Sequence, residues 1–131
     1  MIDTNIILDV LLKRKPQYEE AAAIFNMIAD QSIIGYTTAS CITDIFYLVA
    51  KHRDNNTARD AIKIILSSFE IIAVDVDDCW NAVNAILPDF EDSLVMVCAD
   101  KMSLDYIVTN DKKFLKIFTV PIISSRDFLS L

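Results

Sequence analysis

Four aspartates in this sequence could together form an acidic site. They are Asp3, Asp44, Asp92 and Asp111. Each lies either just after a predicted strand or within the first turn or two of a predicted helix. Hard divalent cations such as Mg²⁺ prefer oxygen ligands and usually take only a few carboxylates, so that water and a substrate phosphate complete the shell. Carboxylates that gather without a cation raise one another's pKa. The set therefore predicts a site for a hard divalent cation.

Taken one at a time, the four aspartates also have ordinary structural explanations. Asp3 could cap the following helix through its side chain, although capping leaves Asn5 unexplained. Asp44 could belong to a solvated helix face, Asp92 could favour the positive end of its helix, and Asp111 could be a turn or cap residue. Only their joint placement favours a metal site.

Other kinds of catalytic site are disfavoured by what the sequence lacks. The single histidine, His52, has no cysteine or second histidine at helical spacing, so a zinc site is not expected. The only glycine, Gly35, excludes glycine-rich phosphate loops. Aspartyl-phosphate enzymes of the haloacid-dehalogenase kind need a second acid where this chain has Asn5. A response-regulator receiver domain needs a lysine after a late strand, whereas no lysine follows Phe118.

Bulk composition bounds the class of protein. We expect the 131 residues to form one domain with one core, spanning residues 1–131. A formal charge of −7 argues against a protein that holds nucleic acid by phosphate neutralisation alone. The longest apolar runs fall far short of the roughly 18 residues that cross a bilayer, and no export signal is visible. There are three cysteines, an odd number that cannot all pair within the chain, and they lie among apolar residues. These features predict a soluble cytoplasmic protein with reduced thiols.

The order of elements predicts how the aspartates come together. Strands are predicted at Ile33–Thr37, Phe69–Val74, Tyr106–Val108 and Val120–Ile123, after a short first strand that precedes Asp3. Helices are predicted at Leu8–Arg14, Pro16–Asp30, Ser40–His52, Thr57–Ser68 with Thr57 as its cap, Asp77–Leu87, Asp89–Ser103 and Asp111–Phe118, with a last turn at Arg126–Leu129. This alternation predicts an α/β fold with a parallel sheet covered on both faces. Sites in such sheets lie beyond the carboxyl ends of the strands, so the aspartates should share one rim.

Four stretches of the chain together resemble the PIN-domain family, the metal-dependent ribonucleases that include the VapC-like toxins of prokaryotic toxin–antitoxin pairs. The stretches are Asp3-Thr4-Asn5, Ala39–Ile45, Asp89–Leu94 and Thr109–Phe114. They span nearly the whole chain in the order that the family shows. The first and third are fairly specific together, whereas the second carries no weight alone.

The resemblance implies a three-layer α/β/α sandwich with a central parallel sheet of four to five strands. Its acidic pocket would bind Mg²⁺ or Mn²⁺ and hydrolyse phosphodiester bonds in RNA. In that pocket Asp3, Asp92 and Asp111 would be metal ligands, and Asp44 would complete the catalytic set where the family often has glutamate. Asn5, Ser40 and Thr109 would orient ligands or water. Basic residues near the pocket could contact RNA phosphates, with Lys112 and Lys113 as the substrate-binding pair and Lys51, Arg53 and Lys116 as further candidates.

Two features depart from the family pattern. Asp44 is one methylene shorter than glutamate, so it could act through water instead of touching metal. The chain begins two residues before Asp3, so the first strand either is unusually short or starts upstream.

Partners are also implied. A VapC-like protein would have an antitoxin that inserts into the acidic groove, and apolar excess in Ala21–Met27 and Ile62–Phe69 predicts a homodimer. The alternative is a catalytically degenerate domain of the same fold that only binds RNA or a protein. Metal-dependent cleavage of RNA would distinguish the two.

Overall fold

The chain alternates short strands with helices over the residues that the computed structural model describes, which are 1–87, 89–113 and 120–131. The strands are β1 (Tyr36–Thr38), β2 (Glu70–Ile72), β3 (Ile107–Val108) and β4 (Ile122–Ile123). The helices are α1 (Thr4–Leu11), α2 (Tyr18–Ala29), α3 (Ala39–His52), α4 (Asn55–Ser68), α5 (Val76–Val83), α6 (Phe90–Lys101) and α7 (Ser125–Leu129).

Two parallel strand pairs are joined through the first residues of the chain. Strand β1 pairs with β2, and β3 pairs with β4. Between the pairs, the Ile2 backbone N–H donates to the Tyr36 carbonyl at 2.9 Å, while the Asp3 N–H donates to the Val108 carbonyl at 3.0 Å. Ile2 also forms a parallel bridge with Val108. The first strand is thus reduced to one bridging residue, and five parallel segments lie side by side.

Apolar side chains from the helices pack into one core around these strands. Ile7 and Leu8 of α1, Ile24 of α2, Ile45 of α3 and Met96 of α6 are fully buried. Helix α6 is buried along most of its length, whereas α2 and α3 each bury one stripe. The predicted α/β fold, a parallel sheet between helical layers, is confirmed.

Several predicted boundaries are wrong, and local hydrogen bonds explain two of them. Helix α1 begins at Thr4 instead of Leu8, because the extended backbone of Asp3 already presents its carbonyl to the N–H of Ile6 at 3.0 Å. Helix α4 is capped by Asp54 instead of Thr57, since Asp54 Oδ1 accepts the Thr57 N–H at 2.7 Å. The remaining strands and helices differ from prediction mainly in length.

The helix predicted at Asp111–Phe118 is not confirmed where it can be compared. Lys112 and Lys113 form a turn, not a helix, because the Asp111 side chain accepts the Lys113 N–H at 2.9 Å and closes a local turn. Residues 114–118 lie outside the described residues. Within the described parts of the chain, no helix is long and apolar enough to cross a membrane.

Apolar side chains remain exposed on helix α5 and just after it. Val76, Trp80 and Val83 are 60–68% exposed, and Ile86 is 84% exposed. By contrast, α2 buries Ala21, Ile24 and Ile28 within the chain. Some of the apolar side chains of α2 on which the homodimer prediction rests are therefore buried in the protein's own core.

Candidate active site

Asp3 lies where the first sheet segment ends and α1 begins. Its backbone carbonyl accepts N–H groups of the first helical turn, whereas its side chain makes no capping hydrogen bond. Its Oδ2 instead accepts a hydrogen bond of 2.9 Å from the hydroxyl of Thr109. Capping therefore does not explain this carboxylate.

Thr109 connects Asp3 with Asp111. Thr109 follows β3 and is 4% exposed. Its Oγ1 donates to Asp3 Oδ2 and accepts the backbone N–H of Asp111 at 3.0 Å. One buried hydroxyl thus positions a carboxylate 106 residues away and the backbone that carries another. This is the geometry that an orienting role for Thr109 requires.

Asp92 occupies the first turn of α6, and Asp89 begins that helix by accepting the Asp92 N–H at 3.1 Å. Burial raises the pKa of Asp92 to about 6, and the charges of Asp89, Asp111 and Asp3 add to the increase. Burial also raises the pKa of Asp3, partly offset by the Thr109 hydrogen bond and increased by Asp111. The three predicted metal ligands therefore lie within electrostatic reach of one another.

Asp44 does not belong to that group of three. It lies half-buried on α3, and its charge is the main cause that raises the pKa of Glu91. Neither Asp3 nor Asp92 owes its pKa shift to Asp44. The charge of Asp44 therefore acts mainly on Glu91, at the start of α6.

The other two residues expected to orient ligands have different surroundings. Asn5 is exposed on α1 and lines a cleft together with Asp111. Ser40 Oγ pairs with Thr38 Oγ1 at 2.8 Å at the start of α3. Thr38 caps that helix by accepting the Cys41 N–H at 3.2 Å. Ser40 therefore belongs to a helix cap, and no hydrogen bond joins it to an aspartate among the described residues.

The basic residues are spread around the molecule. Lys112 and Lys113 are exposed directly after Asp111, and Lys112 lines a cleft that Asp111 shares. Lys51 and Arg53 are exposed at the far end of α3. Lys116 lies outside the described residues.

An acid and a base that the sequence patterns did not single out also adjoin the site. Asp9 is 7% exposed, and its Oδ1 lies 3.7 Å from Nη1 of Arg14. Burial raises the pKa of Asp9, and the Arg14 charge lowers it in part. Asp9 in turn raises the pKa of Asp3. Polar residues at i and i+4 of α1, Asn5 and Asp9, were the sequence signal for this face.

The carboxylates of the site are oxygen donors of the kind that a hard cation needs. No three His, Cys, Asp or Glu side chains in residues 1–87, 89–113 and 120–131 form a ready-made metal cage. Mg²⁺, however, is usually bound by one or two carboxylates together with waters and substrate phosphates. Asp3, Asp92 and Asp111 offer only carboxylate oxygens as ligands, so their chemistry suits such an ion.

Comparisons with known proteins find similar sequences. A family model described as a PIN domain matches residues 1–113. A curated protein, ribonuclease VapC1 of Aquifex aeolicus, is 25% identical over 118 residues, which covers 86% of this chain and 81% of that protein.

Two solved structures share the fold. VapBC2 from Rickettsia felis, bound to a DNA fragment from its promoter, aligns with a TM-score of 0.70 and 18% identity over 95% of this chain and 96% of that one. VapC20 of Mycobacterium tuberculosis, described as a toxin that cleaves the sarcin–ricin loop, aligns with a TM-score of 0.65 and 14% identity over 81% of this chain and 85% of that one.

Proposed function

Because the chain belongs to the PIN-domain family, we propose that it is a metal-dependent endoribonuclease that hydrolyses RNA phosphodiester bonds. One observation carries the proposal: Asp3, Asp92 and Asp111 come from three distant segments, yet the charge of Asp111 raises the pKa of both Asp3 and Asp92, and the charge of Asp3 raises that of Asp92. The relative named ribonuclease VapC1 supports the reaction class.

The proposed cofactor is Mg²⁺ or Mn²⁺, held by Asp3, Asp92 and Asp111. When bound, such an ion lowers the pKa of water and neutralises charge that develops on the phosphate. The chain's own residues prepare the site. Thr109 fixes the rotamer of Asp3 and the backbone of Asp111, and Asp89 fixes the first turn of α6 below Asp92.

Asp44 and the two lysines take more peripheral roles in this proposal. Asp44, whose charge acts on Glu91, works through water, because its side chain is one methylene shorter than glutamate. Lys112 and Lys113 bind RNA phosphates, because they are exposed cations that directly follow Asp111.

We infer a biological role as the toxin of a toxin–antitoxin pair, with an antitoxin protein as partner. Support comes from the structural likeness to VapBC2, a pair of proteins bound together to DNA. A homodimer stays a proposal, for which the exposed apolar residues of α4, Ile64 and Leu66, and those on and after α5 described above offer surface. A mass equal to that of one chain, measured by size-exclusion chromatography with light scattering, would contradict the homodimer.

The test uses purified protein, a mixed single-stranded RNA, and Mn²⁺ or Mg²⁺. Cleavage should require the metal, stop with EDTA, and be lost in Asp92→Asn. The matched control is Asp60→Asn, an exposed aspartate on α4, which should cleave like the unaltered protein. RNA binding without cleavage under every metal condition would favour the degenerate binding domain, and continued cleavage by Asp3→Asn would overturn the assignment of the site.

A further inference from the structure

A cleft opens beside the acidic site, next to the turn that links α1 and α2. Its volume is about 620 Å³, which lies in the range of small-molecule sites. It is lined by Asn5, Asp9, Arg14, Lys15, Gln17, Asn110 and Asp111. Since Asp111 is also one of the proposed metal ligands, a polymer bound at the acidic site has a direct path into this cleft.

The turn holds a cation in place at the cleft. Lys13 adopts a left-handed backbone conformation with φ of 50°, which reverses the chain after α1. The Arg14 N–H then donates to the Asp9 carbonyl at 3.0 Å, while the guanidinium lies 3.7 Å from the Asp9 carboxylate. A guanidinium carries five N–H donors, so this ion pair leaves donors for an anion. The Arg14 side chain is 37% exposed and can be reached from solvent.

Neutral hydrogen-bonding groups complete the wall. Gln17 directly precedes α2, but its side chain makes no capping hydrogen bond. The Oδ1 of Asn110 accepts both the N–H and the hydroxyl of Ser125 at 3.0 Å. This fixes the amide of Asn110, and its nitrogen keeps its donors unused by any described residue. Lys15 adds a second exposed cation.

We propose that this cleft binds the nucleotide next to the scissile phosphate of the RNA substrate. Arg14 and Lys15 bind its phosphate, and the amides of Gln17 and Asn110 hydrogen-bond to its base. Cations hold a phosphate whatever the base, whereas amides match the donors and acceptors of particular base edges. The inference rests on the proposed nuclease function and adds a substrate subsite to it.

The cleft also accounts for how an acidic protein approaches RNA. The carboxylates around Asp3 repel phosphate, and the formal charge of the chain is −7. Arg14 and Lys15 balance the two carboxylates of the cleft lining, Asp9 and Asp111, so the cleft repels a phosphate less than the purely acidic site does. Affinity contributed in this way is local and does not need a basic surface elsewhere.

The decisive variant is Lys15→Gln, because Arg14→Gln would leave the buried Asp9 without a cation. The control is Lys63→Gln, an exposed lysine on α4, which lines no part of the cleft. Binding of a fluorescein-labelled, mixed-sequence single-stranded RNA is followed by anisotropy in EDTA over a range of KCl concentrations. Lys15→Gln should weaken binding about fivefold at 0.1 M salt and reduce the slope of log K against log salt by about 0.7, the value for one lost contact to a single strand.

A second variant separates the base from the phosphate. Gln17→Ala should keep the salt slope but change the relative rates of metal-dependent cleavage of RNAs that differ at one nucleotide beside the cleavage position, by about tenfold. The proposal is overturned if the unaltered protein fails to bind the RNA, or if Lys15→Gln and Lys63→Gln have the same affinity and slope. Failure of the nuclease function would appear differently, as binding through Lys15 without cleavage under any metal.

Discussion

Replacing a proposed catalytic carboxylate should make the metal-free protein more stable. The ordinary pKa of 3.8 of Asp92 is raised to about 6, first by burial and then by Asp89 and Asp111. An acid whose pKa is raised on folding is harder to ionise in the folded state. Its penalty is absent below pH 3.8 and complete above about pH 6, so stability falls as pH rises through that window.

The size of the penalty follows from the pKa. A shift from 3.8 to about 6 corresponds to roughly 3 kcal/mol if every unit counts as about 1.4 kcal/mol. Asp92 is only partly buried, and solvent screening lowers this to about 1–2 kcal/mol. Asn also loses the favourable charge at the helix start, worth about 0.5 kcal/mol. Asp92→Asn should therefore raise the free energy of unfolding by about 1 kcal/mol at neutral pH in EDTA.

The assay is urea unfolding of both proteins at a series of pH values. The gain should be present at neutral pH and absent below about pH 3.8, where the carboxylate is already protonated. Asp60→Asn, on the exposed face of α4, serves as the control for the change of charge alone. A less stable Asp92→Asn, or a difference that does not depend on pH, would refute the view that Asp92 is held in unfavourable electrostatic surroundings.

Three further results are expected. In differential scanning fluorimetry, Mn²⁺ should raise the melting temperature of the unaltered protein, because a hundredfold excess over Kd adds about 2.7 kcal/mol to the free energy of unfolding. The melting temperature of Asp92→Asn should be the same with and without Mn²⁺. Thr109→Val should weaken Mn²⁺ binding about tenfold or more in calorimetry, because Asp3 loses the hydroxyl that orients it, whereas Thr109→Ser should bind normally; equal affinities would contradict an orienting role. Gly35→Ala should destabilise by about 1–3 kcal/mol in urea, since a Cβ there would lie 2.5 Å from Cδ1 of Ile28, and an unchanged midpoint would show that this contact relaxes freely.

The rim of the sheet was predictable because it depends on topology. Strands that alternate with helices are expected to run parallel, so Asp3 and the Thr109–Asp111 segment, which follow different strands, were expected on one rim at the carboxyl ends. The observed hydrogen bond between them is a consequence of that rule. Its distance and direction depend on side-chain rotamers, which no periodic pattern encodes.

Other parts of the site depend on contacts that sequence patterns do not carry. Asp44 and Glu91 come from different helices, and only the packing of α3 relative to α6 brings their charges together. Asp9 and Arg14 meet because Lys13 takes a left-handed conformation, an uncommon choice for a residue with a Cβ. The predicted starts of α1 and α4 were wrong for a related reason, since several residues near each start could cap the helix.

Helix α6 connects the site to the buried core. Ser93, Met96, Cys98 and Ala99 are each fully buried, while Asp92 stands one residue earlier at the helix start. The buried body of α6 therefore holds the helix axis in place, while its exposed first turn presents Asp92 to solvent. An inhibitor of this protein would therefore find its anchor on a fixed helix and could act by covering the carboxylates from the solvent side.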